Sequence, residues 1–192
     1  MKKTVFTFIF LVLIALGSYA QKFMLDSSES MVKWTGEKIS GKHYGNIMLK
    51  SAELTVEDKM ITAGEFVIDM KTITCTDLEN ESWNKKLVDH LNSEDFFHIE
   101  KYPTAKFVLK SVQKMSGNNY RVKGDLTIKD VTRPYGFKAE IMKMNGKYLL
   151  SGTMVVDRSD YGVKYGSKKF FKNLGDKIIY DDFKLEFKLL MK

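Results

Sequence analysis

The stretch Tyr120–Lys129, YRVKGDLTIK, decides how the rest of the chain is read. Tyr120, Val122, Gly124, Leu126 and Ile128 alternate with Arg121, Lys123, Asp125, Thr127 and Lys129, the longest strict alternation present. A period of two sends successive side chains to opposite faces of an extended strand, so one face is apolar and the other wet. Working outward, the same pattern recurs. Upstream of a Ser116-Gly117-Asn118-Asn119 turn, Ala105, Phe107 and Leu109 form an apolar row. Downstream, Tyr135, Phe137, Ala139 and Ile141 form another, and Asn145-Gly146 is a strong hairpin signal that returns the chain through Leu150, Gly152, Met154 and Val156. Phe183, Leu185, Phe187 and Leu189 close the series. Nearer the N-terminus, the rows are Val32 and Trp34 in a strand Met31–Thr35, then Gly45, Ile47 and Leu49, then Ala52, Leu54 and Val56. They end with Gly64, Phe66, Ile68 and Met70, extended by Ile73. About eight antiparallel strands joined by short turns predict an all-β chain, either a closed up-and-down barrel or a sandwich; closure is favoured because it removes edges.

One stretch belongs to neither group of strands: His90–Phe107, HLNSEDFFHIEKYPTAKF. Before it, Trp83, Leu87 and Leu91 recur every four residues and predict one face of a helix of about three turns. Ser93 ends the helix and is expected to cap a second short turn with its hydroxyl, with Glu94 and Asp95 at the positive end. Phe96 and Phe97 follow as adjacent rings, which cannot both face one inner side of a strand, and the expectation is a lid over an opening in the β-structure. Pro103 then pushes Tyr102 toward an extended conformation and the alternation resumes.

The inner rows are apolar apart from small residues. Gly45, Gly64, Gly124 and Gly152 all fall in inward phase, and with flexible Met70 and Met154 they are expected to leave a cavity inside the barrel.

The N-terminus reads as a cleavable signal peptide over residues 1–20: Lys2 and Lys3, an apolar run from Val5 to Leu16, and a small-x-small site, Ser18-Tyr19-Ala20, before Gln21. That leaves one domain at 21–192, with a periplasmic or secreted destination. The formal charge of the chain is +7, falling to +5 without Lys2 and Lys3, and its basic residues are interleaved with acidic ones, which argues against nucleic acid as a partner. Cys75 is the single cysteine, so no internal disulfide forms; its surroundings supply no adjacent base and it reads as a plain strand-end residue. There is no Gly-x-Ser-x-Gly elbow, no phosphate loop and no histidine pair at metal spacing. The chain reads as a binder and not an enzyme, without a metal or cofactor. The basic loop Asp157–Lys177, where Lys164, Lys168, Lys169, Lys172 and Lys177 mix with Tyr161, Tyr165, Phe170 and Phe171, suits an anionic headgroup, transient contact with a membrane surface, or plain packing over the barrel end.

Five pieces resemble the YceI-like proteins, bacterial exported barrels of lipocalin-like form that bind lipids or polyisoprenoids. They are WTGEKISGKHYGNI at 34–47, GEFVIDMKTITCTDL at 64–78, the lid stretch at 90–107, YRVKGDLTIKDVTRP at 120–134, and DRSDYGVKYGSKKFFKNLGDKIIYDDF at 157–183. Asp130 departs from the family, which commonly has glycine there. The resemblance implies a lipocalin-like barrel around an apolar tunnel for a long-chain amphipathic lipid, such as an isoprenoid, an isoprenoid quinone or a fatty amide. The expected tunnel lining is Trp34, Ile47, Leu49, Phe66, Ile68, Met70, Phe96, Phe97, Phe107, Leu109, Val122, Leu126, Ile128, Phe137, Met154, Val156, Phe183, Leu185 and Phe187, with Arg158, Lys164, Lys168 and Lys169 as headgroup candidates. Two other readings stand beside lipid carriage: an enzyme acting on a lipid-like substrate through His43 or the Asp157 and Arg158 pair, and a stress-response module with a packed interior. The oligomeric state is left open, a dimer included.

Overall fold

The computed structural model describes residues 19–192. Eight strands form a closed antiparallel barrel: β1 (Gln21–Lys38), β2 (Gly41–Glu57), β3 (Met60–Asp69), β4 (Thr104–Lys114), β5 (Asn119–Ile128), β6 (Val131–Met144), β7 (Lys147–Asp157) and β8 (Ile179–Met191). Each strand pairs with the next and β8 pairs with β1, so among the described residues no sheet edge is left open. The expected signal peptide lies outside the described residues except for Tyr19 and Ala20.

Three tight hairpins follow from residues that tolerate positive φ. Asp58-Lys59, Lys129-Asp130 and Asn145-Gly146 each take positive φ at both central positions, the twist that matches the flanking strands. Asp130, with φ 59°, occupies a position whose left-handed backbone favours glycine.

Two bulges explain where the apolar phase slips. The pairing of β2 with β3 shifts between Leu49 and Ser51, so Gly45 to Leu49 and Ala52 to Val56 are one strand, not two. An equivalent shift between Leu109 and Ser111 returns Val112 to the interior. The first strand begins at Gln21, ten residues before Met31, because its register with β8 breaks between Asp26 and Met31 and hides the alternation. Ile73 does not prolong β3: Asp69 accepts the Lys71 N–H and Met70–Thr72 form a 3-10 turn.

At the start of the barrel, Asp26 accepts from Lys192 Nζ at 2.7 Å and from Ser28 Oγ at 2.7 Å, closing β1 onto the C-terminus. The hydrogen bond from Lys192, aided by Ser28, lowers the Asp26 pKa from 3.8 to about 2. A depressed carboxylate contributes stability that is full above pH 3.8 and fades as the pH falls toward 2. Thermal melts of Asp26→Asn and the parent should therefore differ at neutral pH and converge between pH 4 and 2; a constant gap would show that the clip owes nothing to charge.

The insertion between β3 and β4 carries α1 (Glu81–Asn92), capped by Asn80, whose side chain accepts the Trp83 N–H. β3 and β4 nevertheless pair directly, so the insertion interrupts the chain and not the sheet. Leu91 is buried and Leu87 half-buried, whereas Trp83 is 61% exposed and lies off the packed face. The short turn after the helix forms as expected, but the Ser93 hydroxyl does not cap it: the hydroxyl donates back to the His90 carbonyl at 2.8 Å, and the Ser93 backbone carbonyl accepts from the Phe96 and His98 N–H groups.

Candidate functional site: an apolar interior beneath a two-part cover

The lid sits at the barrel end formed by the β1–β2 hairpin, the β5–β6 hairpin and the loop between β7 and β8. The opposite end is shut by Phe23 and Tyr148, ring centroids 4.8 Å apart, and by fully buried Met191. Between the ends lie two hollows in series. The lower has a volume of about 100 Å³ and is bounded by side chains such as Leu49, Phe66, Phe107, Val122, Phe137 and Met154. The upper, also about 100 Å³, is bounded by Trp34, Ile47, Met70, Ile128 and Phe183 and roofed by Leu91, Phe96 and Phe97. Ile68 and Leu185 line both hollows and form the constriction between them.

The structure brings the expected lining together. Leu109, Leu126 and Phe187 border the lower hollow, and of the full set only Val156 borders neither; it is 1% exposed and packed within the wall. Leu54, Ile61, Val112, Ile141, Leu150 and Leu189 also line the lower hollow. The alternation signalled the inward face of Leu54, Ile141, Leu150 and Leu189, whereas Ile61 lies outside the rows read from the sequence and Val112 turns inward only through the bulge after Leu109; barrel closure alone shows which inward residues meet across the axis.

The inward glycines do a different job from the one expected. A Cβ on Gly124 would overlap the Val108 carbonyl oxygen and fall 2.5 Å from Phe107 Cζ, and one on Gly152 would fall 2.9 Å from Phe187 Cζ and 3.1 Å from the Lys138 carbonyl oxygen. Their space is taken by aromatic rings. On Gly64 a Cβ would lie 3.2 Å from Phe66 Cε2. At Gly45 it would overlap the Thr74 carbonyl, because the strap Ile73–Asp77 runs along β2 there, Thr74 and Thr76 donating their N–H groups to the Asn46 and Tyr44 carbonyls and Trp34 Nε1–H donating to Thr74 O at 2.9 Å. The hollows arise from barrel closure instead. Gly124→Leu should accordingly unfold the barrel rather than fill a cavity, and even Gly124→Ala should cost about 1–3 kcal/mol by overpacking. Urea titration measures this; a wild-type midpoint would show that both the Val108 carbonyl and the Phe107 ring have room to move.

The cover has two parts that grip each other. Phe96, on the lid turn, meets the Arg158 guanidinium at 5.7 Å and the Tyr165 ring at 5.6 Å, while His90 stands edge-on to Phe96 at 4.9 Å and to Tyr165 at 4.6 Å. Lys129, from the β5–β6 hairpin, donates to the Phe96 carbonyl at 2.7 Å, and burial pushes its pKa down.

The four headgroup candidates are not assembled into one site. Arg158 borders the upper hollow but is 4% exposed, and its donors go to the carbonyls of Tyr180, Val163 and Ile179. Burial lowers its pKa, opposed by Asp181 and Asp157. Lys169 is engaged by Asp157 and by Ser159 Oγ; Asp157 itself is held below the usual carboxylate range, burial being outweighed by Lys169 and Ser159. Lys164 lies over the Phe170 ring at 5.0 Å, and Lys168 is exposed. His43 pairs with Asp77 at 2.8 Å, and Cys75 donates to the same carboxylate at 3.3 Å while burial pushes its thiol pKa up. Neither His43 nor Asp157 borders a hollow.

Among known proteins, the model of the YceI-like domain matches residues 23–191. A UPF0312 protein of Photorhabdus laumondii is 51% identical over 53 residues, 28% of this chain and 27% of the relative. A UPF0312 protein of Pseudomonas putida is 34% identical over 109 residues, 53% of this chain and 54% of the relative. The matched stretches thus span about half or less of these curated relatives. The crystal structure of Burkholderia cenocepacia BcnA superposes with a TM-score of 0.70 at 22% identity, covering 86% of this chain and 98% of that one. A polyisoprenoid binding domain from Saccharophagus degradans, implicated in plant cell wall breakdown, superposes with a TM-score of 0.62 at 11% identity, covering 88% and 97%. At these identities the two structures share the fold.

Proposed function

The chain belongs to the YceI-like domain family, and from that premise we propose that its interior holds a long-chain amphipathic lipid of the isoprenoid kind, for storage or carriage. The observation that carries this reading is the pair of apolar hollows in series, closed at one end and roofed at the other by aromatic rings. The likeness to a domain described as polyisoprenoid binding supports the choice of lipid. Each hollow alone is smaller than the roughly 300–1,000 Å³ of a small-molecule pocket. A long chain therefore threads both, and Ile68 and Leu185 turn aside to let it pass. Lower-hollow residues are apolar apart from Lys106, so the polar end of the lipid lies at the lid, beside Arg158 and Asp182. An isoprenoid quinone and a fatty amide both have this shape. The segment Lys2–Ala20 supports export, which N-terminal sequencing of the mature protein tests by starting at Gln21.

Organic extraction of the purified protein followed by mass spectrometry is the deciding experiment. A stoichiometric long-chain lipid is expected, and Leu185→Trp, which blocks the constriction, should shorten the longest chain recovered or abolish it. Protein that carries no lipid, and takes none up from a mixed lipid extract, would overturn the reading and favour a packed module. A lipid converted on incubation would favour an enzyme.

A further inference from the structure

We infer that the lid end of the barrel docks on an anionic bilayer surface, with Phe170, Phe171 and Ile39 entering the interface and the surrounding lysines meeting the headgroups. This rests on the reading of a lipid held inside and identifies how it would enter and leave. Between Tyr161 and Lys177 the chain has five lysines against one aspartate. All five are exposed, Lys169 alone being turned back toward Asp157. On the same loop Tyr165, Phe170 and Phe171 are 44%, 45% and 48% exposed.

These rings are not exposed for want of an ordered loop. Val163 and Ser167 beneath them are fully buried, the Val163 carbonyl accepts from Arg158, and the Gly166 carbonyl accepts from the Ile179 N–H at 3.0 Å. The loop thus has an inner face bonded to the barrel and an outer face of rings and ammonium groups, with Lys164 Nζ directly over Phe170. The β1–β2 hairpin extends the surface: Ile39, 47% exposed between Lys38 and Lys42, donates its N–H to the Ile178 carbonyl at 3.2 Å. Aromatic rings sit favourably at the headgroup level, and basic side chains beside them are attracted to anionic lipid. Because Tyr165 touches Phe96, this surface abuts the lid of the upper hollow. A bilayer contacting Tyr165 is then one ring away from the exit. Among the described residues no helix is long and apolar enough to cross a membrane.

The test is sedimentation with vesicles of phosphatidylcholine alone or mixed with phosphatidylglycerol. The parent should pellet with the mixed vesicles only, and molar salt should release it. Lys164→Glu with Lys168→Glu and Lys172→Glu should weaken binding by about 100-fold or more, since each lysine near an anionic surface is worth about fivefold. Phe170→Ser with Phe171→Ser should weaken it by roughly tenfold or more. Met60→Ser with Met144→Ser, on hairpin tips at the opposite end, should change nothing. All of these side chains are exposed, so the variants should melt like the parent. A parent that stays in the supernatant, a charge-reversed variant that still pellets, or loss of binding in the methionine variant overturns the proposal. Extracting the same preparations separates the two readings: bound lipid without vesicle binding overturns docking alone, and vesicle binding with an empty interior overturns the lipid reading alone.

Discussion

Arg158→Met is expected to lower the free energy of unfolding by about 3–5 kcal/mol, the cost of stranding the partners of a buried charged group. The guanidinium accepts nothing and donates everywhere: Nε to Tyr180 O at 3.1 Å, Nη1 to Val163 O at 2.9 Å and Nη2 to Ile179 O at 3.0 Å. It also pairs with Asp181 Oδ1 at 3.4 Å, an oxygen with no hydrogen bond of its own. Removing the group leaves three carbonyls without their donor and the Asp181 carboxylate without its counter-charge, and it frees Val163 near the start of the long loop from the first residues of β8. Methionine retains much of the apolar stem, so the loss reports on the fork and not on packing. Arg158→Lys keeps the charge but cannot reach three diverging carbonyls, and it should recover only a minor part. In thermal melts the loss corresponds to roughly 10 °C for a chain of this size. A change below about 1 kcal/mol, the range of ordinary surface substitutions, would show that water or rearrangement satisfies the carbonyls equally well.

Phe96→Ala with Phe97→Ala should speed release of the bound lipid by two to three orders of magnitude, because each ring contributes on the order of 2 kcal/mol when buried. Phe96 is 6% exposed and Phe97 half-buried, and both roof the upper hollow. Phe96 is the greater loss, since it also meets Arg158, Tyr165 and His90. Lys129→Ala, which deletes the donor to the Phe96 carbonyl without touching the hollow, should give a smaller acceleration, about tenfold. Transfer of lipid from preloaded protein to acceptor vesicles, followed by stopped flow, measures both. Unchanged release from a folded double variant would mean that the lipid leaves by another route.

Much of the barrel was legible because its interior is written with a period of two. The rows through Phe107, Leu126, Phe137, Met154 and Leu185 all face the hollows as their phase requires. Legibility failed where the period broke. The bulge at Lys50 made one strand look like two, and the register break after Asp26 concealed the first half of β1. Lid residues were legible for another reason: adjacent Phe96 and Phe97 fit no strand, and the helix before them keeps its own period at Leu87 and Leu91. Trp83 shared that period but is exposed, since a spacing names a face without saying how far along the helix the barrel reaches.

The sequence by itself determined most of the strands, the Asn145-Gly146 hairpin and the larger part of the inward set, because these depend on side-chain alternation and on backbone preferences local to a few residues. Tertiary structure alone decided the rest. Whether an inward glycine leaves space depends on a ring reaching over from a neighbouring strand, as Phe107 does to Gly124 and Phe187 to Gly152, or on a strap from another segment, as Thr74 over Gly45. Whether a basic residue is free for a ligand depends on which carbonyls lie near it. Arg158 reads as one more cation of a basic loop, but closure of β7 and β8 places the carbonyls of Val163, Ile179 and Tyr180 around it. Those partners lie 5 to 22 residues away in the chain, beyond the reach of any local pattern, so burial turns the headgroup candidate into the pin of the cover.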